Sequence, residues 1–172
     1  MMNKPQGIIS AARDGKEKTV IDIVPEELKR KNLFPAGRLD KDTVGFMLIT
    51  DNGDFAHKIL SPKNHISKTY EARLAQPITN DELQKIRLGI TLGDGTKCLP
   101  AEAEICEGGE TPLVKVVLCE GKYHQIKRMF ASLGNSVTEL KRVKMGALPL
   151  DESLAPGESR ILTESEIKLI GG

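Results

Sequence analysis

"TPLVKVVLCEGKYHQIKRMFASLGNSV", residues 111–137, decides the fold class. Leu113 to Cys119 form a near-continuous apolar run of strand length. Glu120, Gly121 and Lys122 make a bend. Beyond it, Ile126, Met129, Phe130 and Leu133 recur at i, i+3, i+4 and i+7, and Gly134 stops the pattern. The stretch therefore reads as strand, bend and amphipathic helix, with Lys127 and Arg128 off the apolar stripe. "VTELKRVKMG" from Val137 reads as a further strand.

The same reading extends outward. "KTYEARL", residues 68–74, alternates, with Tyr70, Ala72 and Leu74 on one face, and predicts a half-buried strand. "TNDELQKIRLG", residues 79–89, is a helix opened by a Thr79/Glu82 capping box and closed by Gly89. "ITLGDGTKCLPAEAEI" reads as strand, tight turn and strand, with Gly93, Asp94 and Gly95 expected to supply positive φ. Upstream, "GFMLIT", residues 45–50, is a buried strand, and Asp54 is expected to cap "FAHKIL". "GIIS" is a short strand candidate, and Thr19 with Asp22 is expected to cap a helix over "VIDIV". "PEELKRK" is expected to form a second helical piece. Thr163 and Glu166 form a last capping box. Many short strands and few helices predict an α+β fold, with a mixed, mostly antiparallel sheet and a few flanking helices, in one domain over residues 1–172.

Composition narrows the function. The 172 residues are 39% hydrophobic and 28% charged, with net charge +1, as in an ordinary globular protein. No stretch is long and apolar enough to span a membrane, so a cytoplasmic protein without a membrane partner is expected. Cys98, Cys106 and Cys119 form no CxxC, and the three histidines have no metal-binding spacing, which argues against disulfide and metal chemistry. Lys122, Lys127, Arg128, Lys141, Arg142 and Lys144 fall in a segment whose only acid after Glu120 is Glu139. They can make a local positive surface, although charge alone favours a plain solvated face.

GxSxG, GxxxxGK[ST] and GxGxxG are all missing from the sequence. The remaining chemical candidate is "PAGRLDKDTVG", residues 35–45, where Arg38 and Lys41 bracket Asp40 just before the apolar run. A carboxylate can act as a nucleophile. On spacing alone, an aspartate in such a segment is more often a turn residue.

Four motifs in order change that balance: "KPQG" at 4–7, "AGRLDKDTVGFMLIT" at 36–50, "SKTY" at 67–70 and "EGKYHQIKRMF" at 120–130. The set resembles the ribosomal pseudouridine synthases of the RsuA/RluB/RluE/RluF type, over nearly the whole chain. "GKYHQIKRMFASLGN" is most similar to the RsuA branch, which acts on small-subunit (16S) rRNA. Large-subunit branches more often have Asn-Arg where this chain has Tyr123-His124.

The resemblance implies a pseudouridine synthase fold with a central RNA-binding cleft, and isomerisation of a uridine without metal or cofactor. It makes Asp40 the catalytic carboxylate, Tyr70 the tyrosine that stacks on the flipped uracil, and Lys127 the cation paired with the aspartate. Many relatives have arginine at the last position, and lysine lacks its bidentate fork. Ile126 is expected to line the uracil pocket and Arg38 to hold the flipped nucleotide, unless Arg38 only pairs with Asp42. Arg128 is the alternative to Lys127. Lys4, Lys41, Lys68, Lys122, Lys141, Arg142 and Lys144 are expected phosphate contacts. The family usually carries an N-terminal S4-like RNA-binding module, so a sequence opening at "NKPQG" implies a catalytic domain without it, expected to act as a monomer on ribosomal RNA. The alternatives are a large-subunit (23S) rRNA target and an inactive RNA-binding module.

Overall fold

A computed structural model describes residues 1–171. The chain divides into two compact units: Met1–Ile66 together with the segment from Lys141 onward, and Ser67–Leu140.

In the first unit, β3 (Val44–Thr50) is the organising strand. Its apolar run buries Phe46, Met47 and Leu48, as the sequence predicts. β1 (Met2–Lys4) and β2 (Phe34–Ala36) pair with it antiparallel, and the Lys141–Met145 end of β7 (Val137–Met145) pairs with it in parallel. β8 (Leu148–Pro149) folds back on β7. Two helices, α1 (Gly53–Leu60) and α4 (Glu164–Gly171), cover a core that includes Phe46, Leu48, Ile59, Met145 and Ile170. Each of these fully or almost fully buried side chains contributes about 1.5–3 kcal/mol through area removed from water.

The second unit is a meander with two helices. β4 (Lys68–Leu74), β5 (Glu102–Glu107) and β6 (Leu113–Leu118) run antiparallel in the order β4-β6-β5, with β7 beside β4. α2 (Asn80–Leu88) and α3 (Gln125–Ala131) bury Leu83, Ile86, Met129 and Phe130 against this sheet. The Thr79/Glu82 capping box is present, and Gly89 ends α2 at φ 94°. The architecture is α+β with a mostly antiparallel sheet.

Several local expectations fail, each for a physical reason. "GIIS" is not a strand: Ile9 makes a single bridge to Thr19, and the strand is Met2–Lys4. "VIDIV" is a turn. Thr19 and Asp22 do bond reciprocally, but the turn they close does not propagate into a helix. "PEELKRK" yields only one 3₁₀ turn, Glu26–Leu28. Asp54 does not cap α1. Asn52 does, its side-chain oxygen accepting from Phe55 N at 2.9 Å. In the 93–95 turn only Gly95 has positive φ, and Thr91 bridges Lys97 without a continuous strand.

Candidate active site

Asp40 lies on the loop between β2 and β3, in the first unit. The loop is fixed from both sides by main-chain bonds. Ser10 Oγ donates to Leu39 O at 2.7 Å and accepts from Leu39 N at 3.1 Å. Thr43 N donates to Asp40 O at 3.1 Å, and Gly7 N donates to Lys41 O at 2.9 Å. Leu39 is buried, Asp40 is half-buried, and Arg38, Lys41 and Asp42 are exposed. The failed strand "GIIS" thus has another role: its serine clamps the residue before Asp40.

Two buried cations support the same loop. Lys4 is 0% exposed, and its ammonium donates to Thr43 O at 2.8 Å, Pro5 O at 3.1 Å and Lys41 O at 3.2 Å. Burial pushes the Lys4 amine down to about 8, while the charges of Asp42 and Asp40 oppose that shift. Arg142 is 1% exposed; its Nη2 donates to Gly37 O and its Nε to Phe46 O, both at 2.8 Å. Gly37 stands at φ 82°, where a side chain would be strained. Lys4 and Arg142 are therefore not surface phosphate contacts but internal braces, since a buried ammonium or guanidinium must spend its donors on protein oxygens. Strand alternation does not single out Arg142, because Val143 and the buried Met145 lie on the opposite parity of β7. Nothing in the sequence around Lys4 marks it as buried. Lys41, the other expected contact on this loop, is exposed and pairs with Glu17 at 3.0 Å.

The second unit holds Lys68, Tyr70, Ile126, Lys127 and Arg128. Tyr70 is half-buried on β4 and packs against the large apolar cluster to which Ile126 belongs. Ile126 is buried, and Lys127 is half-buried on the next position of α3. Lys68 is buried, and Arg128 binds Asp94 Oδ2 at 2.5 Å and Tyr123 O at 3.2 Å.

A polar network sets the start of α3. Glu120 accepts from Leu99 N at 2.9 Å and Gln125 Nε2 at 2.6 Å, and it pairs with Lys122. Lys122 N donates to Gln125 Oε1 at 2.9 Å. Burial disfavours the Glu120 carboxylate, but these donors outweigh it and hold the group below its ordinary range. His124, at φ 47°, turns the chain into the helix. Lys122 and Arg128, read from sequence as part of a basic surface, are thus each neutralised by an acid.

Residues 1–132 match the family model described as RNA pseudouridylate synthase. The chain is 48% identical over 172 residues to an uncharacterised RNA pseudouridine synthase of Bacillus subtilis, covering 99% of this chain and 72% of the relative. It is 44% identical over 171 residues to the ribosomal small subunit pseudouridine synthase A of Escherichia coli K12, covering 97% and 71%. A crystal structure of a pseudouridylate synthase superposes with TM-score 0.89 at 42% identity, over 98% of this chain and 71% of that one. A more distant likeness in fold alone, at 20% identity and TM-score 0.63, is to the archaeal box H/ACA Nop10–Cbf5 complex, over 91% of this chain and 50% of that one. From motif order, sequence identity and fold together, the chain belongs to the RNA pseudouridylate synthase family.

Proposed function

We propose that this protein converts a uridine of small-subunit ribosomal RNA into pseudouridine, with Asp40 as the catalytic carboxylate. The observation that carries the reading is the "GRLD" loop. A half-buried aspartate stands on a backbone pinned by Ser10, Lys4 and Arg142, all outside the loop itself. Such bracing suits a group that must keep one orientation through a reaction. The small-subunit target is supported by relatives of that name at 41–45% identity over 97–99% of the chain.

The reaction exchanges one bond for another. The bond from ribose C1′ to uracil N1 breaks, the base turns, C5 bonds to C1′, and the C5 proton is replaced by one on N1. Substrate and product have the same composition, so neither redox cofactor nor group donor is needed for balance. Tyr70 stacks on the extruded uracil and Ile126 lines its pocket; the tyrosine packs against the apolar cluster to which Ile126 belongs. Lys127 supplies the counter-charge to Asp40, a role that rests on the "QIK" motif. Arg38 is exposed beside Asp40 and holds the flipped nucleotide's phosphate. The work is done in the cytoplasm during ribosome assembly.

The test is Asp40→Asn with pseudouridine mapped in both rRNAs. Cells lacking the protein should lose one site in 16S rRNA, restored by the wild-type chain and not by Asp40→Asn. A lost 23S site would refute the small-subunit assignment. Restoration by Asp40→Asn would refute the catalytic one.

A further inference from the structure

Tyr123 is the most exposed large hydrophobic side chain among the described residues, at 75%. The protein has no tryptophan, two tyrosines and four phenylalanines, so an aromatic ring left in water is costly here. The ring is not loose. It stacks on His124 with centroids 3.8 Å apart and planes 19° from parallel. Its carbonyl accepts from Arg128 Nη1, and the same guanidinium is tied to Asp94. His124 is held at φ 47°, a left-handed conformation that side chains seldom adopt. The Glu120–Lys122–Gln125 network fixes the bend just before it. Strain, ion pairing and a polar network thus combine to hold the Tyr123 ring outward on His124.

We propose that the Tyr123–His124 stack is a platform for an unpaired nucleobase of the RNA substrate, distinct from the target uridine. The assignment rests on the RNA-modifying function proposed above. A flat, preorganised aromatic face accepts any base, because every base offers a π-face. Lys122 and Arg128 flank it in sequence, so a phosphate of the strand can exchange with their carboxylate partners Glu120 and Asp94. Pairing with Glu120 and Asp94 keeps Lys122 and Arg128 in place in the absence of RNA. A protein partner would find one apolar ring among charged neighbours, whereas a stacked base needs only the face.

The probe is a short single-stranded RNA carrying 2-aminopurine, titrated by fluorescence into wild type, Tyr123→Ala, Tyr123→Phe and His124→Ala. Stacking predicts that Tyr123→Ala weakens binding about 5- to 150-fold, while Tyr123→Phe stays within about 2-fold. His124→Ala should fall between them, since it removes the lower ring but leaves the Tyr123 face, and alanine keeps the left-handed strain at φ 47°. The salt dependence of binding should keep its slope, because no phosphate contact is lost. With rRNA as substrate, Tyr123→Ala should raise KM and leave kcat unchanged. Equal affinity of wild type and Tyr123→Ala overturns the platform, as does a Tyr123→Phe loss as large as that of alanine. Pseudouridine formation by wild type is scored separately, so failure of the enzymatic function is told apart from failure of the platform.

Discussion

Gly45→Ala is the sharpest test of how the fold supports Asp40. Gly45 closes the "GRLDKDTVG" segment and, next to Val44, pairs β3 with β7. It stands at φ 98°, and a Cβ there would overlap the Arg142 carbonyl oxygen and lie 2.9 Å from Lys141 Cγ and 3.1 Å from Arg142 N. The first of these is backbone, which cannot rotate away. Positive φ on an L side chain costs about 1–3 kcal/mol. The β3–β7 ladder has only two residue pairs, Val44 with Lys141 and Gly45 with Arg142, so moving the strands apart removes the ladder. That adds roughly 0.5–1.5 kcal/mol per hydrogen bond. Reduced freedom of the unfolded chain returns about 0.4–1 kcal/mol. With about two hydrogen bonds lost, the net loss is about 1–5 kcal/mol, a large share of an ordinary domain's stability. Because Arg142 also holds Gly37 O, the displacement reaches the loop that carries Asp40. The assay is urea unfolding followed by circular dichroism, with Gly93→Ala as control, since a Cβ at Gly93 meets nothing within 4 Å. A Gly45→Ala loss under about 1 kcal/mol, or no larger than that of the control, would refute the reasoning.

Two further predictions concern the first unit. Arg160 Nε donates to Asp151 at 2.5 Å and its two Nη atoms to Glu166 at 3.0 and 2.7 Å. Bonds from Ser153 and Arg160 lower Asp151 to about 2, and Arg160 with Thr163 lowers Glu166 to about 2. Both folded values lie below the ordinary 3.8 and 4.5, so this stabilisation is present above those values and lost as pH falls toward 2. Arg160→Gln should lower the urea midpoint near neutral pH, and the two curves should converge near pH 2; a constant gap across that range would exclude the linkage. Asn52→Ala should cost about 1 kcal/mol through the lost cap of α1, and Asp54→Ala, which loses only a first-turn charge, about half that or less. Thermal melts that reverse this order would restore Asp54 as the cap.

Local rules were legible wherever one segment carried all of its own constraints. The capping box at Thr79 and Glu82, the alternation of β4 and the apolar run of β3 each needed only neighbours in sequence. So did the strand–bend–helix passage at 111–137, whose helix stripe buries Met129 and Phe130. The failures fall where a segment's bonds go elsewhere. "GIIS" has strand composition, but Ser10 spends its hydroxyl on Leu39, and Met2–Lys4 takes the edge of β3 instead. Thr19 and Asp22 form a sound cap over a segment too short to propagate.

The sequence by itself determined the longer elements, the family and the identity of the candidate catalytic loop, because these reside in contiguous motifs. It could not determine which charges are inside. Lys4 looks like a lone surface lysine and Arg142 like one cation of a basic segment, yet both are buried. Their acceptors, Thr43 O and Gly37 O, lie 39 and 105 positions away in the chain. A charged group can leave water only where such oxygens meet it, and only the tertiary structure places them there.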